Sequence, residues 1–231
     1  MNTSVQSLDQ PFGGVASVDQ RNRVLRNTYW LLALSMLPTV LGAYIGVATG
    51  IASAMSPGIS LIVFLAGAFG FMFAIEKTKN SSAGVPVLLG FTFFMGLMLS
   101  RLVGQVLGLA NGAGLVMTAF AGTGAIFLGM ATLSSVIKRD LSAMGKWLFI
   151  GAVMLLVAGL VNFFIQSSAL MIALSVMAIG IFSAFILYDL KRVQDGLETN
   201  YITATLGVYL SIYNVFQSLL AVFGLTAGRD E

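Results

Sequence analysis

The sequence predicts an all-α fold, a seven-span transmembrane helical bundle, and three observations carry that prediction. Hydrophobic residues make up 58% of the 231-residue chain and charged residues only 9%, against about a quarter charged in soluble domains. The apolar residues fall into seven runs, each near the roughly 20 residues that an α-helix needs to cross the hydrocarbon core. Basic residues precede the first run or occupy every second gap: Arg21, Arg23 and Arg26; Lys77 and Lys79; Lys138, Arg139 and Lys146; Lys191 and Arg192. The other gaps, at Ser53–Pro57, Leu109–Gly112 and Gln166–Ser168, carry no charge. Basic loops stay in the cytoplasm on insertion, so the N-terminus is expected inside and, after seven spans, the C-terminus outside.

The elements follow in order. Residues 1–28 read as a flexible cytoplasmic tail, polar and interrupted by Gly13-Gly14. The transmembrane domain covers residues 29–225, with runs at Tyr29–Gly50, Gly58–Ile75, Val85–Leu107, Gly114–Ile137, Trp147–Ile165, Ala169–Asp189 and Tyr201–Leu225. Residues 226–231 form a short outer tail. The first run is too long for a signal-peptide core and follows a long leader, so it is expected to remain as a span. Pro57-Gly58, Gly84 with Pro86, and Asn111-Gly112 mark tight connections. Gly42, Gly46 and Gly50 share one face of the first span, and Gly104, Gly108 and Gly112 recur at the end of the third. Small residues at this spacing let helices pack closely in lipid, within the bundle or in a homodimer.

The inventory closes off several chemistries. The chain has no histidine and no cysteine, which excludes Ser-His-Asp relays, thiolate nucleophiles and His- or Cys-ligated zinc. Its net charge of +3 lies in loops beside apolar runs, where it suits topology and anionic lipid rather than nucleic acid. No cofactor motif is present. An intramembrane aspartyl protease needs a second aspartate in a Gly-x-Gly-Asp stretch to activate water. That stretch is absent and the last span holds no acid, so the chain is not expected to be an enzyme.

Polar groups at depth are the functional candidates. Arg101 lies 16 residues into the third span, about 24 Å from its cytoplasmic start. It reads either as a structural charge that snorkels outward or as part of a pore or gate. Asp189 closes the sixth span and should sit near the cytoplasmic surface. It is either a helix-end anchor beside Lys191 and Arg192 or an acid that binds protons or cations. Ser211, Asn214 and Ser218 share a face of the last span, which should turn inward because lipid cannot satisfy them. That face either glues helices together or lines a hydrated cavity. As drawn, Ser211 lies about 15 Å inside and Asp189 almost at the surface.

Five blocks carry a resemblance. They are Leu25-Arg26-Asn27-Thr28-Tyr29, Met117-Thr118-Ala119-Phe120, Lys138-Arg139-Asp140-Leu141-Ser142 with Gly145, Gly196 with Glu198-Thr199-Asn200-Tyr201-Ile202, and Tyr209-Leu210-Ser211-Ile212-Tyr213-Asn214-Val215-Phe216 with Ser218-Leu219-Leu220. On them the chain resembles the Bax-inhibitor family of membrane proteins, and within it the bacterial YccA type. The resemblance runs over nearly the whole chain, and the last two blocks are the specific ones. It implies seven helices with the last one central, in the bacterial inner membrane. It also implies association with the membrane protease FtsH and its regulators. Some family members carry an aspartate pair in the last two helices that responds to pH and controls a calcium leak. The first maps onto Asp189; the second falls on Ser211, which cannot be an anion. Two carboxylates can share a proton or hold a divalent cation, and one carboxylate with a hydroxyl does either far less well. A leak of calcium or protons through Asp189, Ser211 and Asn214 is therefore the second expectation.

Overall fold

In a computed structural model, which describes residues 17–228, the chain is all helical. The helices are α1 (Val18–Thr49), α2 (Ile51–Ala54), α3 (Pro57–Thr78), α4 (Gly84–Leu107), α5 (Gly112–Val136), α6 (Ser142–Ile165), α7 (Ser168–Gln194) and α8 (Tyr201–Ala227). Seven of them, all but the one-turn α2, are long and apolar enough to span a membrane. The protein is a multi-pass membrane protein.

Local chemistry places the helix ends. Ser17 accepts the Gln20 N–H and caps α1, and Ser56 caps α3 ahead of Pro57. Gly50 stops α1 in the left-handed conformation with φ 67°. Its expected role on a packing face is thereby corrected: it is a helix stop. Asp140 accepts hydrogen bonds from the Ser142 N–H at 2.8 Å and from its hydroxyl at 2.6 Å. These bonds at the entry to α6 hold its carboxyl below the ordinary carboxylate range.

Among the boundaries that differ from the sequence expectation, the start of α1 and the end of α7 move for the same reason. The first helix starts at Val18 rather than Tyr29, about three turns earlier. Those turns are held by packing: Val24 is buried with Val193 and Ala204, and the Arg21 guanidinium donates to the Gln194 carbonyl at 3.2 Å. Residues 18–28 are therefore helical and only 1–16 of the expected tail lie outside the described residues. Likewise α7 runs past Asp189 to Gln194. At the other end α8 continues to Ala227, and 229–231 lie outside the described residues.

The last helix is central. It packs on α7, α5, α1 and α4 and touches α3, while α6 packs chiefly on α7. The main core joins α1, α4, α7 and α8 through Leu31, Phe91, Met95, Ile186, Leu190 and Tyr209, all buried. Trp147, Phe149, Met154 and Phe164 on α6 are exposed instead. Side chains of this kind facing outward are what lipid requires, since hydrocarbon gives them no reason to hide.

The tightest pairing is α1 with α4. A methyl group on Gly96 would lie on the Thr39 carbonyl oxygen, and one on Gly42 would lie on the Phe93 carbonyl oxygen. Gly46 faces the Ser100 side chain in the same way. Gly104 has no such neighbour, only the tip of Val47 at 3.9 Å, and Gly112 meets the backbone of its own connection. Gly42 and Gly46 of the first glycine stripe are thus a packing face, and Gly50 is not. The second stripe is mainly not one.

Candidate functional site

The site is built where α7 turns into α8, at the basic end of the bundle. Gly196, at φ 77°, reverses the chain after α7, and the N–H groups of Leu197 and Glu198 bond back to the Arg192 carbonyl. Glu198 accepts the Asn200 N–H at 2.9 Å, and its other oxygen lies 3.9 Å from the Arg192 guanidinium. Asn200 caps α8: its Oδ1 accepts from the N–H groups of Ile202 and Thr203. Its Nδ2 donates to the Lys79 carbonyl at 3.1 Å and to Asn80 Oδ1 at 2.8 Å. One asparagine therefore starts α8 and ties the hairpin to the α3–α4 connection.

Asp189 lies inside this hairpin, half-buried. Its carboxylate covers Gly207 on α8, so closely that an added Cβ there would sit 2.9 Å from Oδ2. Among the described residues it forms no ion pair, and no hydrogen bond reaches it. The Ser211 hydroxyl, buried at 3% exposure, donates to the Gly207 carbonyl at 3.0 Å. Asp189 and Ser211 thus meet the same glycine, one from its side and one from the turn above. This corrects the expected separation in depth. The five residues by which α7 outruns Asp189 are worth about 7.5 Å of helix, which draws the acid inward.

Asn214 is the third candidate and stands apart. Its amide donates to the Leu210 carbonyl at 2.8 Å, within its own helix. No hydrogen bond among the described residues joins Asp189 to Ser211 or to Asn214. No cluster of three or more metal-ligating side chains occurs among the described residues. Arg101 is half-buried on α4, about 9 Å from that helix's end at the uncharged face. It forms no ion pair among the described residues, and it belongs to the opposite end of the bundle from Asp189.

A second polar seam was not singled out from the sequence. The Tyr209 hydroxyl meets the Thr39 hydroxyl at 2.9 Å and donates to the Thr92 carbonyl at 3.4 Å. Tyr213 donates to the Met95 carbonyl at 3.2 Å, and Thr205 to the Thr28 carbonyl at 3.4 Å. These bonds pin α8 to α1 and α4, on a face other than that of Ser211. Their signal was the four-residue spacing of Thr205, Tyr209 and Tyr213, the same periodicity that exposed the serine face.

The Asp189–Gly207 contact is open to a direct test. Gly207→Ala should destabilise the bundle by about 1–2 kcal/mol through overpacking. In an Asp189→Ala background that cost should vanish, giving a positive coupling in a double-mutant cycle of detergent unfolding. An equal cost in both backgrounds would mean that the carboxylate does not cover Gly207.

The family described as "Inhibitor of apoptosis-promoting Bax1" matches residues 21–228, nearly all of the chain. The chain belongs to the Bax-inhibitor family. Among its relatives, an uncharacterized membrane protein of Vibrio cholerae is 36% identical over 91% of this chain and 93% of its own length. An uncharacterized protein of Pseudomonas aeruginosa is 37% identical over 94% and 95%. A relative in Escherichia coli K12, named "Modulator of FtsH protease YccA", is 36% identical over 90% and 92%. The matching protein of another Escherichia coli strain is named "Inner membrane protein YccA". With seven apolar spans in this chain, these likenesses place it in the bacterial inner membrane. Two of the five blocks that suggested the Bax-inhibitor family also have structural explanations: Gly196 to Ile202 builds the hairpin, and Tyr209 to Phe216 carries both polar faces of α8.

Proposed function

We propose that this Bax-inhibitor family protein binds an FtsH-type membrane protease complex and modulates it, acting as a regulator rather than as a catalyst. The observation that carries the reading is the near full-length likeness to a protein named as a modulator of FtsH protease. Ser211 at the second acid's position supports it, since a lone Asp189 is a poor divalent-cation site. Residues 1–16 precede α1 at the basic end, which the positive-inside rule puts in the cytoplasm.

Affinity capture of the full-length protein from detergent-solubilised membranes is expected to recover FtsH. Recovery of none would sink the proposal. Deletion of residues 2–16 leaves the Ser17 cap and α1 in place, and it should lengthen the protein's lifetime if degradation starts at that segment.

A second reading, a leak of protons or cations through Asp189, is favoured by one specific observation. The half-buried carboxylate forms no hydrogen bond and no contact ion pair among the described residues, and an ionisable group in a membrane helix is a functional candidate by default. In liposomes, wild type should then pass protons or calcium faster than Asp189→Asn. Equal flux, or none in either, rejects the reading.

A further inference from the structure

Thr28 is the exception among the hydroxyls of α1. Ser35 donates to the Leu31 carbonyl at 2.7 Å, Thr39 to the Ser35 carbonyl at 2.8 Å and Thr49 to the Ile45 carbonyl at 2.7 Å. Each closes on the carbonyl four residues back, as a hydroxyl in a helix interior commonly does. The Thr28 hydroxyl makes no such bond to Val24. Its residue is 0% exposed, and Thr28 Oγ1 is the one buried side-chain polar atom among the described residues without a hydrogen-bond partner. Neither lipid nor bulk water reaches it. A hydroxyl buried in that way is costly unless something bonds to it.

The facing helix supplies the rest of a site. Thr205 on α8 is also fully buried. Its hydroxyl gives its hydrogen chiefly to the Tyr201 carbonyl at 2.7 Å and lies 3.4 Å from the Thr28 carbonyl, beyond the ordinary length of such a bond. The Thr205 oxygen therefore has lone pairs to offer. Thr28 has a hydroxyl hydrogen to give, yet no direct bond joins the two side chains. Polar groups this near that do not touch are at the separation one water spans. Val24, one turn toward the basic end, is buried against Val193 and Ala204 and closes the joint on that side.

We propose that a single ordered water molecule ties α1 to α8 at this joint. It accepts the Thr28 hydroxyl hydrogen and donates to the Thr205 hydroxyl oxygen and to the Thr28 carbonyl. Three bonds are the usual complement of a buried water. The water also gives Thr28, in the block Leu25-Arg26-Asn27-Thr28-Tyr29, a task that needs no contact with Asp189.

Two measurements on the full-length protein test this. A structure resolved finely enough to show ordered water should have a peak about 2.8 Å from Thr28 Oγ1. No peak there, or a Thr28 hydroxyl turned onto the Val24 carbonyl, overturns the proposal. Stability in mixed micelles gives an independent sign. Thr28→Val keeps the shape of the side chain and removes the hydroxyl. With the water in place, the folded-to-unfolded ratio should fall about fivefold, as for one lost hydrogen bond. A dry, unbonded hydroxyl predicts the reverse, because valine then relieves a buried unpaired group. Thr205→Val should also lower the ratio, and the double variant should lose less than the two losses combined, since both remove one bridge. A gain with Thr28→Val overturns the proposal, and so do losses that simply add.

Discussion

Gly96→Val is expected to destabilise the bundle by about 3 kcal/mol, the top of the usual range for overpacking. The site leaves no escape. A Cβ at Gly96 meets the Thr39 carbonyl oxygen and lies 2.8 Å from the Thr39 carbonyl carbon and 3.0 Å from the Ala43 nitrogen. These are backbone atoms and cannot rotate away, so α1 and α4 must separate. Separation also strains the Tyr209 hydroxyl's bonds, because its two partners, Thr39 and Thr92, sit on those two helices. Dispersion at close approach is what holds helices together in lipid, where no hydrophobic force acts between them. Gly124→Val is the control, because nothing lies within 4 Å of a Cβ there. Unfolding in mixed micelles should show a large loss for the first substitution and almost none for the second. Comparable losses would place the close contact elsewhere.

Asn200→Ala should cost about 2–3 kcal/mol. Loss of an N-cap accounts for about 1 kcal/mol, and the two bonds from Nδ2 to the α3–α4 connection contribute about 1 kcal/mol each. Asn200→Asp separates the two roles. It keeps an oxygen for the Ile202 and Thr203 N–H groups but has no hydrogen to offer Lys79 or Asn80. Its cost should fall near that of the two Nδ2 bonds alone. If aspartate proves as damaging as alanine, the cap contributes little. If aspartate is harmless, the tie to α3–α4 contributes little.

How legible was the rest? The spans were, because crossing a bilayer demands a length and an apolarity that few other structures share. The expected runs all lie on the observed helices, within one residue where they overshoot. The ends of α1 and α7 were not. Val24, Val193 and Ala204 are far apart in sequence and cover one another only after folding, so residues 18–28 read as tail and Asp189 as the end of its helix. Gly96 has Thr92 at i−4 and Ser100 at i+4 rather than glycines, so a glycine repeat points to Gly104, which packs against little, and not to Gly96. Spacing identifies a face; it does not say which face meets a neighbour.

By itself, then, the sequence determined the class, the number of spans and the side on which the basic loops lie, and its five motif blocks pointed to the Bax-inhibitor family. Each of these depends on the solvent, on local spacing or on charge counted along the chain. Only the tertiary structure decided that Asp189 covers Gly207 beside Ser211, and that Tyr209 and Tyr213 bind α8 to α4. Those are relations between residues on different helices. Helix length, tilt and close packing set them together, and no single helix's sequence contains them.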